Sequence, residues 1–120
     1  MLPLTGSASG RAILAFTPDR IRQKLIKLQA SNHEEDSPAK LAERFDRIRK
    51  RGYDIADSTV VPGLSAISAP ILDLQNEAVA SVTLVGARAD ISKAGSQLIG
   101  HLLETSAKVS RACGSTLSFN

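Results

Sequence analysis

Residues 63–86, GLSAISAPILDLQNEAVASVTLVG, decide the fold of this chain. The segment holds two apolar runs, Ser65–Asp73 and Glu77–Val85, on either side of Gln75-Asn76. β-Branched residues are frequent in both runs, and a glycine stands at each end, which is typical of strands. A short polar break between two such runs is typical of a β-hairpin. We therefore predict two antiparallel strands joined by a two-residue loop.

The register of this hairpin determines which side chains share a face. A two-residue loop sets Ala69 opposite Val82 and, beside the turn, Asp73 opposite Ala78. Side chains alternate between the two faces along a strand. One face is then apolar and consists of Ile67, Ala69, Ile71, Ala80, Val82 and Leu84. The other face is small, partly hydroxylated and uncharged, and consists of Ala66, Ser68, Pro70, Ser81, Thr83 and Val85.

The small face of the hairpin has two interpretations. A pocket wall that leaves room for a ligand has small, uncharged side chains. A sheet face packed under helices has them too, because serine and threonine can bond to nearby backbone. The residues alone leave both interpretations open.

Length and composition limit the class of protein. The chain has 120 residues, enough for one domain, with 42% apolar residues, 3% aromatic residues and no Trp. The formal net charge of +3 is too small to indicate nucleic-acid binding by itself. One cysteine excludes an internal disulfide. No run approaches the roughly 20 apolar residues that span a membrane.

Helices are predicted on both sides of the hairpin. Ser7 or Ser9 can cap a helix whose start has free N–H groups suited to an anion. A later helix runs to about Arg51, and the cations of Arg47–Arg51 complement its C-terminal dipole. Ser92 caps a last helix that runs through Ala112, and Ser115–Asn120 is expected to be a loose tail. The predicted class is therefore α+β.

Enzyme motifs are missing from the sequence. There is no Gly-x-Ser-x-Gly turn for a hydrolase nucleophile, and neither histidine has a partner in a recognised catalytic motif. No paired-carboxylate pattern stands out. We therefore expect no catalytic residues, no metal and no cofactor.

Five short segments of the chain form a pattern together. They are Ser9–Ala15 (SGRAILA), Arg47–Tyr53 (RIRKRGY), Pro62–Asp73 (PGLSAISAPILD), Val82–Gly86 (VTLVG) and Ser106–Gly114 (SAKVSRACG). These segments resemble the C-terminal effector-binding domain of IclR-type transcriptional regulators. Their order and spacing match the family over about residues 3–114. Each segment is short, but five of them in order form a fairly specific pattern.

The resemblance implies a GAF-like fold, an antiparallel sheet with helices packed on it, incomplete on its N-terminal side. It implies a partial effector-binding domain over residues 1–114, followed by the tail 115–120. In the family a winged helix-turn-helix precedes this domain, so DNA would be bound only through a domain that is absent here. A cytoplasmic protein that forms a homo-oligomer, a dimer or tetramer, is expected, without membrane contact.

The resemblance also implies a site. In the family a small organic acid binds between the start of the first helix and the inner face of the hairpin. Carried over by position, with Ala8 and Ser9 contributing backbone N–H groups, the site comprises Ala8, Ser9, Asp57, Ala66, Ser68, Thr83 and Val85. Asp57 stands one residue after the family's acidic position, which is Ala56 here.

The expected function is that of a ligand-sensing domain, a part of a repressor or activator whose DNA binding responds to a small organic acid. An oligomerisation or interaction module without a ligand is the alternative. A small enzyme is the third and least favoured class.

Overall fold

The computed structural model describes residues 7–30, 38–57 and 61–117. The elements within these residues are α1 (Ala8–Ala15), α2 (Asp19–Ala30), α3 (Pro38–Arg51), β1 (Asp54–Asp57), β2 (Leu64–Leu72), β3 (Ala78–Ala87) and α4 (Arg88–Ala112). The strands form an antiparallel sheet in the order β1-β2-β3, with helices packed on it. The predicted α+β class is confirmed.

The predicted hairpin is formed by β2 and β3. Ala69 lies opposite Val82, as the sequence predicts. The pairing of Asp73 with Ala78 is wrong, because Ala78 lies opposite Leu72. The register therefore changes by one residue close to the turn and agrees with the prediction beyond it.

The loop explains this change of register. It has three residues, Leu74–Asn76, and the N–H of Asp73 donates to the carbonyl of Glu77 at 2.9 Å. Asn76 takes a left-handed conformation with φ 59°, which asparagine tolerates well. A loop one residue longer than expected would turn every side chain of β3 to the other face. A β-bulge at Val79 absorbs the extra residue and restores the faces.

The two faces of the sheet are covered by different helices. On the apolar face, Ile67 and Ala69 form a buried cluster with Ile91 and Leu102 of α4. On the small face, α1 packs on β2 and β3. A second buried cluster joins α1 to α3 and consists of Leu14, Ala15, Leu41, Phe45 and Ile48.

Helix α4 begins earlier than predicted. It starts at Arg88 rather than after Ser92, and Ala87 at its N-cap makes no side-chain hydrogen bond. Ile91 is only 5% exposed, in the cluster against the apolar face of the sheet. Burial of this residue accounts for the earlier start, since tertiary packing outweighs a local capping preference.

Pro70 lies in the central strand, where proline is unusual because it cannot donate to the ladder. Two buried serines of α4 support the strand here. The hydroxyl of Ser106 donates to the carbonyl of Pro70 at 2.6 Å, and the N–H of Leu72 donates to the hydroxyl of Ser110 at 2.9 Å. The backbone polar groups next to the proline and the bulge are thus satisfied by the helix above them.

The residues that follow α4 return to the hairpin turn. Gly114 has φ 97° and bridges to Asp73, and the hydroxyl of Ser115 donates to the Asn76 side chain at 2.7 Å. Thr116 N–H donates to the same oxygen at 3.3 Å. Residues 115–117 are therefore part of the packed domain, in contrast to the loose tail expected from the sequence. Residues 118–120 of that expected tail lie outside the described residues.

Removing the hydroxyl of Ser110 should destabilise the domain. The Ser110→Ala variant leaves the N–H of Leu72 buried without its acceptor, which costs about 1–3 kcal/mol. Thr105→Ala is the matched control, because the exposed Thr105 hydroxyl bonds only to His101 of its own helix. Urea unfolding of both variants is the measurement. Equal unfolding midpoints would contradict a role for Ser110 in the sheet.

Candidate functional site

The small face of the sheet holds a row of three polar residues, one from each strand. Asp54 lies opposite Ser68, and Ser68 lies opposite Thr83. Asp54 and Ser68 are fully buried, whereas Thr83 is exposed. The two hydroxyls are 2.8 Å apart, within hydrogen-bond distance. The row therefore runs from a buried carboxylate at one sheet edge to an accessible hydroxyl at the other, about 10 Å away across two strand spacings.

The buried carboxylate of Asp54 is surrounded by guanidinium groups. Arg11, only 4% exposed on α1, donates to Oδ2 from Nε at 2.6 Å. Arg44 Nε and Arg51 Nη2 both donate to Oδ1 at 3.3 Å. A buried charge needs such partners, because leaving water costs an unpaired ion several kcal/mol. One carboxylate thus holds α1, α3 and β1 together.

Helix α1 lies along this face with its N-terminus directed away from the hairpin turn. At its C-terminal end, the carbonyl of Phe16 accepts from the N–H of Ala78, the first residue of β3, at 3.1 Å. Further back along the helix, Arg11 contacts the row of Asp54. An eight-residue helix is about 12 Å long. The helix start is therefore on the side of the sheet where Ala66 pairs with Val85.

The first turn of α1 has a defined capping arrangement. The Ser7 hydroxyl accepts from Gly10 N–H at 3.1 Å, so Ser7 is the N-cap. Among the described residues, no hydrogen bond is seen to the N–H groups of Ala8 and Ser9. Ala8 is buried and Ser9 is half-buried, so Ser9 is the more accessible of the two. The positive end of the helix dipole is at the same place.

The structure brings six of the seven predicted site residues to one face. Ala66, Ser68, Thr83 and Val85 project from the small face, and the start of α1 with Ala8 and Ser9 lies over it. The face is divided in two. Its β2 part, with Ser68, is packed beneath α1, whereas in its β3 part Thr83 is exposed and Val85 is 65% exposed.

Asp57 is not part of this group. It pairs with Ser65 and lies three residues after Asp54, an odd number, so its side chain projects from the opposite face. There its carboxylate accepts from the Ser65 hydroxyl at 2.6 Å and pairs with Arg88 of α4 at 3.2 Å. The acidic residue on the small face is Asp54.

A groove of about 500 Å³ lies at the other end of α1. Its walls are Ala15, Phe16, Thr17, Pro18, Asp19, Arg22, Arg49, Asn76 and Glu77. Its two arginines are paired with Asp19 and Asp46 and also donate to backbone carbonyls. Burial lowers the pKa of Arg22, as does the neighbouring Arg49, against an opposing effect of Asp46. The arginines of this groove are thus already satisfied by the protein.

The chain matches the family model described as the C-terminal part of the bacterial transcriptional regulator IclR over residues 1–111. It belongs to the IclR family. It is 27% identical over 118 residues, 94% of this chain and 45% of the relative, to the HTH-type transcriptional regulator RhmR of Escherichia coli (strain K12). It is 33% identical over 87 residues, 69% of this chain and 31% of the relative, to the HTH-type transcriptional regulator BhcR of Paracoccus denitrificans (strain Pd 1222).

A solved structure agrees with the family match. The crystal structure of Pseudomonas aeruginosa HmgR superposes with a TM-score of 0.79 at 30% identity, covering 97% of this chain and 47% of that one. This IclR C-terminal domain spans less than half the length of the curated relatives named above. The expected family and fold are confirmed, and they are those of a regulator domain rather than an enzyme. Within the described residues, no helix is long and apolar enough to cross a membrane.

Sequence reasoning missed the two buried charged residues that join α1 to the sheet of this IclR domain. Arg11 and Asp54 are both buried and charged. A signal for Arg11 was present, because it lies three residues after Ala8 and four before Ala15, on the buried side of a helix. Asp54 gave no such signal, since it stands at the start of a short strand next to exposed positions.

Breaking the buried ion pair should be costly. Asp54→Ala leaves the Arg11 guanidinium buried without its carboxylate and should destabilise the domain by about 3–5 kcal/mol. The double variant Arg11→Met with Asp54→Leu removes both charges and should recover a large part of this loss. Denaturant unfolding of Arg11→Met, of Asp54→Leu and of the double variant measures the coupling. Additive effects of the two substitutions would contradict the pairing.

Proposed function

We propose that this IclR domain senses a small organic acid, bound where the start of α1 meets the open β3 side of the small face. The observation that supports the proposal is the pair of neighbouring hydroxyls on the small face, one buried and one exposed. Ser68 is fully buried and its hydroxyl is 2.8 Å from that of Thr83, which is exposed. The buried Ser68 hydroxyl thus fixes the orientation of the exposed Thr83 hydroxyl, which suits a group that orients a ligand.

The charges around this site favour an anion. Free N–H groups and the positive dipole end at a helix start attract a carboxylate. Arg11 adds a buried cation to the same helix, and three guanidiniums share the single carboxylate of Asp54. Because Arg11 and Asp54 neutralise each other, the positive surplus of this group is on the partly exposed Arg44 and Arg51.

The predicted residues would then have different roles. Ser9, Thr83 and Val85 are accessible and would contact the acid, with Ala66 forming the small floor beside them. Ser68 would act as a positioning residue for Thr83, since its own hydroxyl is not accessible. Asp57 would stay outside the site, on the other face of the sheet.

Ligand binding could be transmitted through α1. Its start forms one side of the site, and Arg11 joins it to Asp54 and, through that carboxylate, to α3. An acid that binds more tightly to one packing of α1 on the sheet shifts the population toward it, by no more than the difference in affinity. In a cytoplasmic regulator an attached DNA-binding domain would respond to that shift.

An oligomerisation module is the second candidate, and one observation favours it. Strand β3 is a sheet edge among the described residues and has no charged residue and no proline from Ala78 to Ala87. Val79, Leu84 and Val85 on it are exposed. Unprotected edges of this kind pair readily with another chain. Self-association and ligand binding are compatible, and both would involve β3.

A panel of small organic acids tests the sensor proposal by thermal shift. An acid present at one hundred times its dissociation constant should stabilise the domain by about 2.7 kcal/mol and raise its melting temperature. Thr83→Leu should abolish this stabilisation, because it removes the orienting hydroxyl and fills the open side. The exposed position accommodates the larger side chain, so the unliganded domain should lose only the bond to the buried Ser68 hydroxyl, about 1–3 kcal/mol.

Val82→Ala is the control for Thr83→Leu. Val82 projects from the opposite face and packs against the cluster of Ile67 and Leu102. It should lower the stability by about 1–2 kcal/mol and leave the ligand-induced shift unchanged. A panel without any stabilising acid would remove support for the sensor. Loss of the ligand-induced shift in Val82→Ala but not in Thr83→Leu would show that the ligand binds on the apolar face instead of the small face.

A further inference from the structure

Four cations form a continuous stripe along α3. Lys40, Arg44, Arg47 and Arg51 follow one another at intervals of four, three and four residues, which places them on one face of the helix. The stripe is about 16 Å long at the rise of an α-helix. Lys40 and Arg47 are exposed, and the side chains of Arg44 and Arg51 are about one-third exposed.

The two arginines of the stripe that lie next to β1 are held in fixed orientations. Arg44 donates to Asp54 and, from Nη2, to the carbonyl of Ile55 at 3.0 Å. Arg51 donates from Nε to the carbonyl of Tyr53 at 2.9 Å and lies 4.4 Å from the centre of the Tyr53 ring. Fixing these side chains in advance lowers the entropy cost of binding an anion.

Further charged groups lie close to the stripe. Beneath it is Arg11, and the carboxylates beside it within the described part of the chain are Asp54 and, on the neighbouring side of α3, Glu43. The cations thus form a clustered patch, the form that polyanion-binding proteins show.

A helix-end effect, predicted from the sequence for Arg47–Arg51, does not account for the stripe. Arg44 lies in the middle of α3, well before its last turn. Arg51 turns to Asp54 and Tyr53 of the following strand rather than to the last carbonyls of the helix. Arg49 lies on another side of α3 and contacts Ala15 and Asp46.

We propose that the α3 stripe binds the sugar–phosphate backbone of duplex DNA without sequence preference. Duplex DNA offers regularly spaced phosphates over the length of the stripe, and exposed Lys and Arg side chains such as Lys40 and Arg47 neutralise phosphates. An acidic protein surface offers no such regular spacing. In a family of transcriptional regulators, this contact would add affinity next to a sequence that another domain recognises. The stripe lies at the β1 edge of the described sheet and the organic-acid site at the β3 edge, and the Asp54 network is the part that they share.

Titration of a labelled duplex of about 20 base pairs of arbitrary sequence tests this proposal over a series of salt concentrations. Neutralising three to four phosphates predicts that the logarithm of the binding constant falls with the logarithm of salt concentration with a slope of about −3. Arg47→Ala should reduce the slope by about 1 for every duplex sequence. The substitution replaces an exposed residue by a strong helix former, so the fold should be unaffected.

Lys108→Ala is the matched control, because it removes one exposed cation from α4 and lowers the net charge equally. It should leave the slope unchanged. Equal reductions in Arg47→Ala and Lys108→Ala would overturn the proposal, since the effect would then follow net charge alone. Displacement of the duplex by polyglutamate of matched charge at equal concentration would overturn it in favour of an acidic protein partner. Displacement of the duplex by inorganic phosphate at the same concentration would also overturn the proposal, because the stripe would then bind small anions rather than DNA.

Discussion

The buried carboxylate of Asp54 is the interaction on which the rest of this domain depends. A charge without access to water needs partners, and the fold supplies three guanidiniums from two helices. Arg11 thereby fixes α1 over the sheet, and Arg44 and Arg51 fix α3 beside β1. The same residue begins the row that continues through Ser68 to Thr83. The Asp54 carboxylate therefore determines the placement of two helices, begins the polar row of the candidate site and orients two surface arginines.

The two edges of the described sheet have opposite properties. Along β1 the edge is protected, because Arg44 donates to the carbonyl of Ile55 and arginine charges surround the strand. Along β3 the edge is uncharged and has exposed Val79, Leu84 and Val85. Charged and covered edges resist pairing with other chains, and plain apolar edges invite it. The proposed organic-acid site and the proposed self-association surface lie on the β3 side, and the proposed DNA contact lies on the β1 side.

Irregular features of the hairpin are compensated by residues that are distant in sequence. The three-residue loop would reverse the faces of β3, and the bulge at Val79 corrects this within a few residues. Pro70 interrupts the ladder of the central strand, and Ser106 and Ser110 of α4 satisfy the neighbouring backbone. The loop is compatible with the predicted faces only together with the bulge, and Pro70 is compatible with a central strand only together with the two serines. The hairpin therefore forms as predicted although it contains a proline and a longer loop.

The sequence by itself determined the α+β class, the hairpin, its two faces and the family, because alternation, glycine positions and segment order are local properties of the chain. Of the seven site residues that it predicted, six lie together at α1 and the small face. Only the tertiary structure decided the remainder. It placed Asp57 on the other face because side chains alternate along β1 and Asp57 pairs with Ser65, and it began α4 at Arg88 because Ile91 is buried. The Asp54 network joins residues up to 43 positions apart, and no local pattern encodes such a contact.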